Sequence, residues 1–213
     1  MLSRFFNPDN VVWRFFTMVG YIWILHILWL VCSLPVVTAG ASATALMYSC
    51  IKLHRGEGSP VKNFFKSFKE NFKQATAMFF IFLVIGLILA GDFIVAGATK
   101  NLQMRTFFRI IAGVISVPYI LSLLYSFSVL AWFKNSVADT IKYSFMLSIK
   151  HFAQSFQILA LLAVVTYANM QLTLFDYITI SFGIGFIAYF ITAYHNKVFR
   201  LYEPVSETIE SNE

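Results

Sequence analysis

The chain has 213 residues, 59% of them hydrophobic and 12% charged, with a mean hydropathy of +0.72 and a formal net charge of +6. A soluble domain carries about 25% charged residues, so this chain has too few to coat a water-facing surface of its size. The basic balance fits a membrane protein with positive loops; nucleic-acid binding is not expected, because no basic and aromatic motif of a binding fold is present.

Uncharged runs occupy 15–51, 74–91, 110–133, 151–175 and 177–196. A bilayer core of about 30 Å needs about 20 helical residues, so each run is span-sized and the first is nearly twice that. The runs are continuously apolar, whereas the strands of a membrane β-barrel would alternate. The expectation is an all-α, polytopic transmembrane helical bundle forming a single domain over 1–202.

The first run contains CSLPVVTAGASATAL, and its proline decides the span count. Lys and Arg number two before residue 15, six in 52–73, three in 100–109, three in 134–150 and two after 196. A five-span topology, with the first run crossing once, leaves five basic residues outside; folding that run into a hairpin gives six spans and leaves three. The positive-inside rule therefore favours six, with both termini cytoplasmic. Spans are expected near 15–33, 35–54, 74–98, 107–132, 153–171 and 177–198. Ser33 is the expected cap and Pro35 the first-turn residue of the second helix.

In that return helix, Ala39 with Ala43, Gly40 with Thr44 and Ala41 with Ala45 form small-xxx-small pairs. Such pairs let helix backbones approach closely where lipid offers no hydrophobic drive for association. Pro35, Gly40, Ala41 and Thr44 are the candidate hairpin-packing residues. Cys32 and Cys50 fall ~18 Å apart along the hairpin and are not expected to bridge. His26, in the middle of the first span, is the one candidate intramembrane polar site; its depth matches Thr44, so a structural hydrogen bond between the two is expected.

SPVKNFFKSFKENFK, residues 59–73, starts with a Ser59 cap and Pro60. Val61, Phe64, Phe65, Phe68 and Phe72 share one face, and Lys62, Lys66, Lys69 and Lys73 recur on another. This pattern predicts an interfacial helix lying in the cytoplasmic headgroup layer, apolar face down and lysines toward anionic lipid. Lys62, Phe65, Lys66, Phe68, Lys69, Phe72 and Lys73 are thus candidates for membrane-interface contact or partner docking. A second interfacial helix is expected over 139–152, capped by Asp139, with Ile141, Phe145, Ile149 and Phe152 on its apolar face. A shift of 80 residues aligns Lys62 with Lys142, Phe65 with Phe145, Phe72 with Phe152 and Gln74 with Gln154, which suggests a repeated unit of span, interfacial helix and span. The final stretch at 203–213 reads as a flexible acidic cytoplasmic tail.

No HExxH, GxSxG, Walker lysine loop or paired intramembrane carboxylate is present, so nothing argues for an enzyme, a metal or a cofactor. The stretch LWLVCSLPVVTAGASATALMYSCIKL, followed by FFKSFKENFKQAT, resembles the YesL-like family of bacterial membrane proteins, a domain of unknown function numbered 624. The resemblance runs across residues 5–95 and rests on Pro35, Thr38, Gly40 and Ala41 in the hairpin and on Phe65, Phe68, Asn71, Phe72 and Lys73 in the lysine-bearing helix. It implies a multi-pass plasma-membrane protein associated with carbohydrate utilisation, with subunits of a sugar ABC transporter as partners, and it supplies no catalytic residues. A self-sufficient small permease, with His26 and the Gly40 face lining a path, is the alternative.

Overall fold

The computed structural model describes residues 11–202; residues 1–10 and the acidic tail at 203–213 lie outside the described residues. Seven helices follow in order: α1 (Val11–Ser33), α2 (Ala39–Arg55), α3 (Pro60–Ala98), α4 (Leu102–Trp132), α5 (Val137–Lys150), α6 (Phe152–Gln171) and α7 (Thr173–Phe199), the last with a π-helical turn at Thr179–Gly183. No strand occurs among the described residues. All but α5 are long and apolar enough to cross a membrane, with α2 counted from the 3-10 turn at Val36. Phe15, Phe16, Trp23, Ile24, Ile27, Leu30 and Val31 of α1 remain exposed, a surface that lipid tolerates and water does not. The chain is a multi-pass membrane protein built as an all-α bundle.

The hairpin turns where Pro35 directs it, but by a different device from the one expected. Pro35 precedes a single 3-10 turn, Val36–Thr38, and the α-helix starts only at Ala39. Ser33 caps nothing; Thr38 Oγ1 ties the turn, hydrogen-bonded to the carbonyls of Cys32 at 2.6 Å and Pro35 at 2.7 Å. At the other end of α2, Gly56 closes the helix at φ 69°, the left-handed conformation that glycine adopts without a Cβ penalty.

The largest departure concerns residues 59–73. They form no separate helix: α3 runs unbroken from Pro60 to Ala98, 39 residues and about 58 Å at about 1.5 Å per residue. Its first half runs antiparallel beside α2. Phe64 packs with Ala45, Leu46 and Cys50, whereas Ala75 packs with Ala41. Thr76 Oγ1 donates to the Val37 carbonyl at 3.1 Å, so the hairpin tip sits beside the middle of α3. The turns from there to Ala98 continue about 33 Å further and run beside α4, where Phe82 meets Tyr119.

The second expected interfacial helix does exist as a separate element, shifted toward the N-terminus. Ser136, rather than Asp139, caps α5: its Oγ accepts from Asp139 N at 3.2 Å and donates to Asp139 Oδ2 at 2.6 Å. The chain breaks at His151, with φ −109° and ψ 49°, before α6. The proposed repeat therefore does not extend to the backbone, because its first copy passes straight through the position matching His151, which is Asn71.

Candidate functional site

In the lysine-bearing segment of α3 the phenylalanine face is turned into the protein. Phe64 is fully buried against Leu25, Ala45, Leu46, Cys50 and Ala188. Phe68 stacks on it at 6.3 Å, and Phe72 meets Phe68 edge-on at 5.7 Å. Only Phe65, at 41% relative exposure, stays outside. The expectation that this face lies down on lipid is thus corrected for Phe64, Phe68 and Phe72: the small-residue face of α2 offered them a closer-packed surface. Lys62, Lys66, Lys69 and Lys73 are all exposed.

The hairpin residues explain that fit. A Cβ placed on Gly40 would collide with the Ala75 carbonyl and come within 2.6 Å of Phe79 Cβ, so glycine sets the approach of α2 to α3. Ala41, Thr44 and Ala45 are buried beside it, and Pro35 is exposed at the turn. Cys32 and Cys50 are free thiols.

His26 is buried, but the expected bond to Thr44 is not made. Thr44 Oγ1 donates instead to the Gly40 carbonyl at 2.9 Å, one turn back on its own helix, an arrangement that needs no second helix in register. The His26 ring reaches α7, where Nε2 lies 2.8 Å from the Ile180 carbonyl and Nδ1 accepts from Gly185 N at 3.3 Å. The π turn leaves these backbone groups free to meet a side chain. A Cβ on Gly185 would lie 2.8 Å from both His26 Cβ and the Ile22 carbonyl, so a second glycine closes this crossing. Both ring nitrogens are therefore engaged by backbone, a structural role.

Where α2, α3 and α4 converge, a cavity of 780 Å³ opens between Lys66, Glu70, Asn71 and Gln74 of α3, Trp132 at the end of α4, and Lys134 in the link to α5. Trp132 is also the hub of a cationic cluster. The Arg55 guanidinium lies 4.1 Å and the Lys52 ammonium 5.1 Å from its ring centroid, both within cation–π range. Arg55 Nε donates to Asn196 Oδ1 at 2.8 Å, and Lys52 pairs with Glu57. Sequence reasoning missed Trp132, Lys134 and Asn196; a tryptophan ending a span and followed by lysine was the available signal, since such residues gather at membrane–water interfaces.

Beside this lies a buried polar group that periodicity did not disclose. His195 Nδ1 hydrogen-bonds Ser128 Oγ at 2.8 Å, and the ring packs 4.3 Å from Tyr125. Tyr125 OH accepts from Ser155 Oγ at 3.3 Å. Thr140, Ser144 and Ser148 give α5 a buried face of small hydroxyls, each bonded within its own helix. Of the apolar face expected to meet lipid, Ile149 and Phe152 are 53% and 64% exposed. Outside the spans, His151 Nε2 is hydrogen-bonded to Tyr202 OH at 3.0 Å, and partial burial together with the Lys150 charge holds its pKa below the ordinary histidine value. Among the described residues no group of three His, Cys, Asp or Glu side chains is placed to hold a metal.

An all-α multi-pass bundle with a basic, aromatic-rimmed cavity where its second, third and fourth helices meet is the class these features define. Residues 9–93 match the model of a family described as "Protein of unknown function, DUF624", which establishes the resemblance over α1, α2 and most of α3. No curated protein and no solved structure matches the chain.

Proposed function

We propose that the protein is an accessory subunit in carbohydrate uptake, set in the bacterial plasma membrane with the lysine row of α3 on the cytoplasmic side, where it engages subunits of a sugar ABC transporter. The setting comes from the family resemblance, and the sidedness from the basic residues concentrated in 52–73. One observation carries the choice of docking over simple anchoring. Phe64, Phe68 and Phe72 are occupied within the protein, so the segment has little apolar surface left with which to lie on lipid, while Lys62, Lys66, Lys69 and Lys73 remain exposed. Anionic headgroups of the surrounding bilayer are the other natural neighbours of this row.

The permease reading has less support in this arrangement. Gly40 is closed off by Ala75 and Phe79, and both nitrogens of His26 are bonded to α7. Affinity purification from native membranes tests the docking role. Transporter subunits should copurify with the unaltered protein and be lost when Lys62, Lys66 and Lys69 become Glu, with membrane insertion unchanged. An identical partner list for both proteins counts against docking, and sugar flux through proteoliposomes holding this protein alone would restore the permease.

A further inference from the structure

We infer that the cavity between α2, α3 and α4 is a binding site for a phosphate ester carried on a small hydroxylated group. Its volume of 780 Å³ lies within the roughly 300–1,000 Å³ of small-molecule sites and exceeds what a bare ion needs. Lys66 and Lys134 enter it from two different elements, and among the described residues neither is paired with a carboxylate. Arg55 adds a positive charge against the Trp132 ring, whereas the charge of Lys52 is balanced by Glu57. Two lysines lining one cavity recruit an anion, and phosphate is an anion that lysine binds as a point charge.

The rest of the lining selects what the phosphate carries. Glu70, which repels the phosphate itself, accepts hydrogen bonds and so suits the hydroxyls at the far end of the ligand. Gln74 and Asn135 supply donors and acceptors, and Asn71 keeps its carbonyl oxygen available while its amide bonds Ser67 at 3.1 Å and 3.2 Å. Trp132 offers an apolar wall. A glycerol phosphate group fits these demands, and it reaches the site either as the headgroup of phosphatidylglycerol or as a soluble phosphorylated polyol.

This site is distinct in its test from the proposed docking row, because Lys134 and Gln74 belong to the cavity and not to that row. Purified protein in nanodiscs would be titrated with glycerol 3-phosphate by calorimetry, and lipid retained from mixed phosphatidylglycerol and phosphatidylcholine would be measured by native mass spectrometry. The paired change Lys134→Gln and Gln74→Leu should weaken binding at least about tenfold, whereas Lys142→Gln with Lys197→Gln, which alters exposed lysines outside both the cavity and the α3 row, should leave it within about twofold. Lys134→Gln alone, at an exposed link position, keeps the test valid if the pair disturbs folding. Binding of the soluble ester with no lipid preference assigns a free ligand, and retention of phosphatidylglycerol without soluble binding assigns the headgroup. Equal losses in the two variant pairs, or no binding of either probe, overturn the proposal.

Discussion

Gly40 is the position where one methyl group decides the packing of α2 on α3. Gly40→Ala places a Cβ against backbone, which cannot rotate away, and overpacking of this kind costs about 1–3 kcal/mol. Thermal unfolding in detergent should show a clear loss of stability, while Gly20→Ala, where a Cβ meets nothing within 4 Å, should be near neutral or stabilising. His151 offers a second check. Because its folded pKa is lowered by burial and by Lys150, the neutral ring is the stabilised form. The associated stability is present above the unfolded value of about 6.5 and is lost as pH falls through the lower folded value. NMR titration should place His151 below that reference, and Lys150→Gln should move it up. These residue-level features were hidden in the sequence for a simple reason: Gly40 announced itself as small, but only the proximity of the Ala75 carbonyl makes it irreplaceable.

Among the elements, α3 teaches the most. The spacing of its phenylalanines and lysines was legible as an amphipathic helix, and Ser59 with Pro60 does mark its start. What it packs against was not legible. Phe64→Ala should destabilise the protein by about 3 kcal/mol through the cavity it leaves, whereas Phe65→Ala on the exposed side should stay within about 0.5 kcal/mol. Equal effects, measured by unfolding in the same detergent, would restore the interfacial reading. For α5, the mistaken cap had a local cause: Ser136 and Asp139 form a reciprocal pair, and the serine caps because it is the last extended residue, φ −68° and ψ 162°, before the helix starts at Val137. The buried face of α5 was missed because Thr140, Ser144 and Ser148 satisfy their hydroxyls on their own backbone and so pack like small apolar residues.

For the whole molecule, the packing sets heights along the bundle. Val37 at the hairpin tip lies level with Thr76, and Ile94 lies about 27 Å further along α3. Nitroxide labels on single-cysteine variants in vesicles should report matching depths for Val37 and Thr76 and a different depth for Ile94. A Val37 depth equal to that of Ile94 would show that α2 pairs with the other half of α3. The spacing of charges along the chain was enough to read out the solvent: long uncharged runs mean bilayer, and a hydrogen-bonded backbone in a bilayer means helices, so an all-α multi-pass bundle followed from composition and periodicity. Only the folded arrangement could say which apolar faces meet protein and which meet lipid. A phenylalanine gains little by leaving lipid for protein, so hydrophobicity does not mark its partner; close packing against Gly40, Ala41 and Ala45 does, and that complementarity exists only once α2 and α3 lie side by side.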